Sequence, residues 1–232
     1  MQSKSSLNNS KNGTLINMKN YFITFEGIDG CGKDTQLFRL AKAIKDRAIK
    51  GIGSKYDNFW ITREPTMITE AGRTISRLIK GESVTKEDAT KGFIGDRIEH
   101  SQIIKQQLTH SHVLCSRYDF STLTYQMVQG MDFETLYKMH KYNQKNGALI
   151  PDITIIFDLP AEVAFQRIKQ RGEKLEVLYE KIDFLSKIVD CQNECIEKLK
   201  KSGRTIVLVD ATLPIDGVTE DMITKINNIV AK

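Results

Sequence analysis

Apolar residues along this chain fall into two rhythms. Short runs such as Tyr21-Phe-Ile-Thr-Phe25, Ile153-Thr-Ile-Ile-Phe157 and Thr205-Ile-Val-Leu-Val209 are rich in β-branched and aromatic residues. Unbroken runs of this kind mark strands covered on both faces. Elsewhere apolar residues recur every three or four positions, as at Leu37, Leu40, Ala41, Ile44 and Ala48, the spacing of a helix with one buried face. The two rhythms predict strands at 21–26, 58–62, 112–116, 153–158 and 204–209. They predict helices at 33–49, 69–80, 86–109, 119–130, 133–146, 161–171, 175–201 and 217–230. Strands alternating with helices imply a three-layer α/β/α fold with a central five-stranded parallel sheet. Ligands in such folds sit beyond the carboxyl ends of the strands.

The first strand runs into Phe25-Glu-Gly27-Ile-Asp29-Gly-Cys-Gly32-Lys33-Asp34-Thr35, and the next helix starts near Lys33. Strand, glycine-rich turn and helix N-terminus form the setting of a phosphate-binding P-loop. Gly27, Asp29, Gly30, Cys31, Gly32, Lys33, Asp34 and Thr35 are the candidate nucleotide-phosphate residues. Glycines let the backbone wrap a polyphosphate, helix amides point at it, and Lys33 adds a charge. Asp34 stands where a Ser or Thr hydroxyl normally meets Mg²⁺. A carboxylate is itself a good Mg²⁺ ligand, which makes Asp34 the candidate metal residue.

Polar residues follow the other strands in the same way. Arg63-Glu64-Pro65-Thr66 follows the second and Arg117-Tyr118-Asp119-Phe120-Ser121 the third, with Tyr125 and Gln126 one turn further on. The helix between them carries Phe93 and Arg97, and the helix after the fourth strand ends in Arg167 and Arg171. Guanidinium forks match phosphate oxygens bidentately, so this layout implies an anion-clamping cleft.

Composition adds bounds. At 232 residues the chain suits one domain, expected over 20–232. No run of 18 apolar residues occurs, so no membrane partner is expected. Three of the five net positive charges are Lys4, Lys11 and Lys19, leaving a body too nearly balanced to call for a nucleic-acid partner. Residues 1–19 are Ser/Asn/Lys-rich and are expected to be a disordered leader or upstream extension, with Met18 an alternative start. Cys31, Cys115, Cys191 and Cys195 lack C-x-x-C spacing, which argues against zinc and for free thiols in a reducing cytoplasm.

In order along the chain, FITFEGIDGCGKDTQ, TREPT, FIGDR, SRYDFSTLTYQ, PDITIIFDLP, RIKQRGE and VLVDA closely resemble the motifs of thymidylate kinases. The resemblance runs from about Asn20 to the C-terminus. It implies a P-loop kinase fold, ATP and Mg²⁺ as cofactors, dTMP as acceptor, a cytoplasmic enzyme and a homodimer. By the same resemblance Lys33 and the loop amides hold ATP phosphates and Asp29 faces the acceptor sugar. Phe93 stacks on the base and Arg97 bonds its edge. Arg63 and Arg117 grip the acceptor phosphate, Ser121 and Gln126 line the pocket, and Tyr125 crowds the sugar. Arg167 and Arg171 are catalytic arginines of a lid, with Lys33 and Arg117. An apolar stripe of Phe93, Ile94, Ile98, Ile104 and Leu108 suits either dimerisation or core burial.

Three departures stand out. Asp34 replaces the hydroxyl residue, Ser116 replaces the Asp of an Asp-Arg-[Tyr/Phe] triplet, and the segment after Pro65 lacks paired glycines. One carboxylate lost and one gained suggests relocation of the metal ligand. Two alternatives stay open at this point: a kinase for another nucleoside monophosphate or deoxynucleoside, and a nucleotide-binding protein with little turnover.

Overall fold

In a computed structural model of the chain, residues 19–49, 52, 58–81, 85–172 and 175–230 are described. The expected leader over 1–19 lies outside them except for Lys19, which pairs with Asp152.

Five parallel strands form one sheet in the order β2-β3-β1-β4-β5. They are β1 (Phe22–Glu26), β2 (Phe59–Arg63), β3 (His112–Ser116), β4 (Ile153–Asp158) and β5 (Ile206–Asp210). Among them lie α1 (Lys33–Lys45), α2 (Glu70–Gly81), α3 (Lys86–Gln107), α4 (Asp119–Val128), α5 (Phe133–Lys145), α6 (Ala161–Gln170), α7 (Leu175–Lys201) and α8 (Ile215–Val230). The expected α/β architecture stands, with strand bounds shifted by at most two residues.

Alternation sorts the core. Ile23 and Phe25 of β1, Leu114 of β3 and Ile153, Ile155 and Phe157 of β4 join the cluster built with α1, α6 and α8. Phe22, Val113 and Cys115 face the other way, onto Ile104 and Tyr118, while Ile156 meets α4, α5 and α7. Side chains of a strand point alternately to opposite faces, so even-numbered positions of β1 face α3 and α4. Every residue of β1 and β3 is buried, as two covered faces require.

Helix α1 stops four residues earlier than its apolar spacing predicts. Arg47 adopts φ 57, its N–H bonds Ile44 O, and the Ala48 N–H reaches back to Ala43 O at 2.9 Å. This pair of bonds is a Schellman stop, usually made by glycine. With Arg there, no glycine marks the end in the sequence. The apolar stripe of α3 also divides. Ile104 is core and Leu108 packs beside it, Phe93 lines a cleft, and only Ile94 and Ile98 stay half-buried on the helix flank.

Candidate active site

The loop after β1 takes shape from its glycines. Gly30 and Gly32 both have φ 85, a left-handed backbone that other residues adopt at a cost. A Cβ on Gly30 would stand 2.9 Å from Ala164 O, so the missing side chain lets α6 rest on the loop. Arg167 follows, half-buried, one turn further along α6. Arg171 caps the same helix, exposed. No side chain caps the N-terminus of α1, which leaves its first-turn amides to an anion. Lys33 is buried, its Nζ 3.4 Å from Ile28 O and 3.8 Å from Asp29 Oδ1. Cys31 is buried against the loop, and burial, opposed by Lys33, pushes its thiol up. Asp34 and Thr35 are exposed.

Asp34 and Ser116, 82 residues apart, meet: the Ser116 hydroxyl donates to Asp34 Oδ1. Relative to the motif pattern the sequence resembles, hydroxyl and carboxylate have changed places, and in this chain the two are hydrogen-bonded. Among the described residues no group of three or more His, Cys, Asp and Glu side chains is arranged to hold a metal. A Mg²⁺ ion bound with polyphosphate needs only one or two carboxylates, the rest of its shell being phosphate oxygens and water. Asp34 and Ser116 fit that requirement.

Beside the loop opens a cleft of about 260 Å³ lined by Glu64, Pro65, Ala89, Phe93, Arg97, Arg117, Tyr118, Ser121, Thr122, Tyr125, Gln126 and Gln129. Six residues singled out in the sequence therefore converge here: Phe93, Arg97, Arg117, Ser121, Tyr125 and Gln126. Arg63 does not join them. It ends β2, is exposed, and does not line the cleft.

Arg97 is the most constrained of the group. Its side chain is 2% exposed, and Nε and Nη2 donate to Glu64 Oε2 at 3.0 and 2.7 Å. Nη2 also donates to Thr122 at 2.8 Å. The opposite carboxylate oxygen of Glu64 meets His100 Nδ1 at 3.0 Å, and His100 Nε2 lies 2.8 Å from the Thr62 hydroxyl. Burial alone would lower Arg97, but Glu64 more than offsets it and keeps the guanidinium charged. Nη1 is buried without a hydrogen-bond partner among the described residues. A buried donor left unpaired costs about 1–3 kcal/mol. Gln126 is similarly fixed, its carbonyl accepting from Thr90 Oγ1 at 3.0 Å. Asp96, next to Arg97, takes hydrogen bonds from Thr66 N–H, Thr66 Oγ1 and Thr69 Oγ1 at 2.8, 2.7 and 2.5 Å. These pin the turn after Pro65 to α3 without paired glycines.

Arg117 joins cleft and loop. It sits at φ 62, Nη2 donates to Asp29 Oδ1 at 2.5 Å, and its guanidinium lies over the Tyr125 ring at 5.1 Å. Behind the cleft, burial would raise the Asp119 carboxyl, but Arg204 and its two hydrogen bonds hold it well below the usual carboxylate range. Glu26, Glu64, Thr90 and Thr122 are site residues that the sequence did not single out. Glu26 had a signal: an acid at an inward position of a strand buried on both faces.

Uncapped first-turn amides of α1 on one side of Arg117, and a cleft lined by Phe93 and Tyr125 on the other, suit the division of work in P-loop kinases of nucleoside monophosphates. The profile of the thymidylate kinase family matches residues 25–222. A probable thymidylate kinase of Methanocaldococcus jannaschii is 34% identical over 90% of this chain and 97% of its own length. Those of Methanococcus maripaludis and Pyrococcus horikoshii are each 32% identical, over 89% and 91% of this chain and 95% and 98% of their own. The chain belongs to the thymidylate kinase family, and it is a phosphotransferase that makes dTDP from dTMP.

Proposed function

We propose that the γ-phosphoryl of ATP is the group transferred, that the cleft beside the P-loop holds dTMP, and that Mg²⁺ is held through Asp34. The observation that carries this reading is the unpaired, buried Nη1 of Arg97. It belongs to a side chain that lines the pocket together with Phe93 and Tyr125, and a pyrimidine carbonyl that reached it would complete it. Phe93 offers the base a stacking face. Tyr125, under Arg117, narrows the space for a sugar and favours a deoxyribose.

The chemistry follows from where charge stands. Phosphoryl transfer needs in-line positioning and neutralisation of the moving group more than covalent help. Loop amides from Gly27 to Thr35 and Lys33 would bind the donor phosphates. Arg117 would hold the acceptor phosphate, and Asp29 keeps that guanidinium oriented. Arg167, carried on α6 against Gly30, and Arg171 would add positive charge from the far side. Arg63 is given a lesser part because its side chain stands outside the cleft lining. Mg²⁺, when bound, would supply neutralisation of the phosphate oxygens, and Asp34 oriented by Ser116 would be its protein ligand.

The tests are ADP release with ATP and Mg²⁺ across a panel of nucleosides and monophosphates, and sedimentation for assembly. Turnover with dTMP above other acceptors supports the reading, turnover only with another acceptor redirects it, and binding without transfer to any acceptor refutes it. A cytoplasmic homodimer with no nucleic-acid or membrane partner is part of the proposal. No described helix is long and apolar enough to cross a membrane, and Ile94 and Ile98 on the flank of α3 offer an apolar strip to a second copy.

A further inference from the structure

Glu26 ends β1 and points, with Phe22 and Thr24, to the face covered by α3 and α4. It is wholly buried. Its Oε2 accepts from the Ser121 hydroxyl at 2.6 Å, whereas Oε1 has no hydrogen-bond partner among the described residues. Ser121 lines the cleft, and Arg117 Nη1 donates to it at 3.4 Å. One hydroxyl thus separates a buried carboxyl from the pocket assigned to the acceptor.

A serine hydroxyl has a single proton to give. While Glu26 is ionised, that proton is held toward Oε2, and Ser121 presents only lone pairs to the cleft. Arg117 can use a lone pair, but an incoming phosphate oxygen cannot. If Glu26 gains a proton on Oε2, the direction reverses. The carboxyl donates to Ser121 Oγ, and the Ser121 hydroxyl is released to donate into the cleft.

We infer that Glu26 takes up a proton from solvent when a phosphate monoester dianion binds, and that this turns the Ser121 hydroxyl outward to hydrogen-bond a phosphate oxygen. The inference rests on the cleft being the monophosphate site. Two anions on either side of one hydroxyl repel, and protonating the buried one removes both the repulsion and its desolvation cost. The proton adds to Glu26 and no bond of the ligand breaks.

The surroundings make the step accessible near neutrality. Burial raises the Glu26 carboxyl to about 7; the Ser121 hydrogen bond, Arg117 and Arg97 work to lower it, and Asp119 raises it further. Cys115 of β3 and Arg204 before β5 feel the same charge from the neighbouring elements. An added phosphate charge would move the group upward again, which is what linked proton uptake means.

The experiment is calorimetric titration of dTMP into the whole chain between pH 7.5 and 9, where the monoester is a dianion, in two buffers of different ionisation enthalpy. Wild type should take up close to one proton per dTMP near pH 8, and its affinity should fall about tenfold per pH unit once Glu26 is ionised in the free protein. Thymidine, lacking the phosphate, should bind without uptake. Glu26→Gln, whose amide donates to Ser121 permanently, should bind dTMP with no uptake and a flat pH profile. Binding of dTMP to wild type without uptake overturns the inference and needs no variant. Uptake that persists in Glu26→Gln, or is equal for thymidine, also overturns it. Failure of dTMP to bind at any pH instead defeats the assignment of the cleft, and the inference with it.

Discussion

Replacing Glu64 by Gln tests how the buried guanidinium of Arg97 is held. Glu64 and Arg97 are 3% and 2% exposed and joined by two hydrogen bonds, so no solvent replaces the lost charge. Each hydrogen bond to a charged group is worth about 1.5–3 kcal/mol. Gln keeps one acceptor but leaves Arg97 buried without a counter-charge, and breaking such a pair costs about 3–5 kcal/mol. The expected loss in urea unfolding at pH 7.5 is therefore about 3 kcal/mol. Glu64→Leu combined with Arg97→Met removes both charges and should return stability to within about 1 kcal/mol of wild type. That double variant should still raise KM for dTMP by about 10- to 100-fold, because the free donor has gone. A Glu64→Gln protein within about 1 kcal/mol of wild type, or a double variant no more stable than the worse single one, would refute this account of the pair.

Further outcomes are expected elsewhere. Asp34→Ser and Ser116→Asp should each lower turnover and weaken its dependence on Mg²⁺, while the double exchange should restore both; unchanged Mg²⁺ titrations in Asp34→Ser would exclude Asp34 as a ligand. Gly30→Ala places a methyl 2.9 Å from Ala164 O at φ 85, so it should destabilise by about 1–3 kcal/mol and lower kcat by moving α6 with Arg167. Burial and nearby Arg97 hold His140 down to about 3, below its unfolded value near 6.5. Stability from keeping it neutral is full above pH 6.5 and is lost as pH falls toward 3, by up to about 1.4 kcal/mol per unit. His140→Gln should flatten urea midpoints between pH 6.5 and 4.5; an unchanged slope would mean the ring is accessible to protons in the fold.

Strands were legible because buried parallel strands need unbroken β-branched and aromatic runs, and helices because each hides one apolar face. The end of α1 was not, because Arg47 makes a left-handed stop usually left to glycine. In the site, Phe93, Arg97, Arg117, Ser121, Tyr125 and Gln126 could be found from motif spacing and position after strands. Placement of Arg63 could not, since spacing fixes the end of β2 but not where an exposed side chain turns. The bond between Asp34 and Ser116 depends on β1 and β3 being neighbours, with Phe25 level with Ser116, and that pairing is a property of the sheet order. Glu26 hid inside a recognised motif, where its neighbours' glycines explained the pattern without it.

The exchange of carboxylate and hydroxyl between positions 34 and 116 also constrains the order in which it could arise. From the usual hydroxyl at 34 and Asp at 116, altering 34 first would put two carboxylates in contact beside bound polyphosphate. Like charges so placed repel, and one would have to be protonated. Altering 116 first gives a serine facing a serine or threonine, two groups that still hydrogen-bond to each other. The neutral pair is the passable intermediate. On the proposal that Asp34 ligates Mg²⁺, a lineage crossing it would hold the ion for a time through phosphate oxygens and water alone, and Asp34 would then enter as a repair.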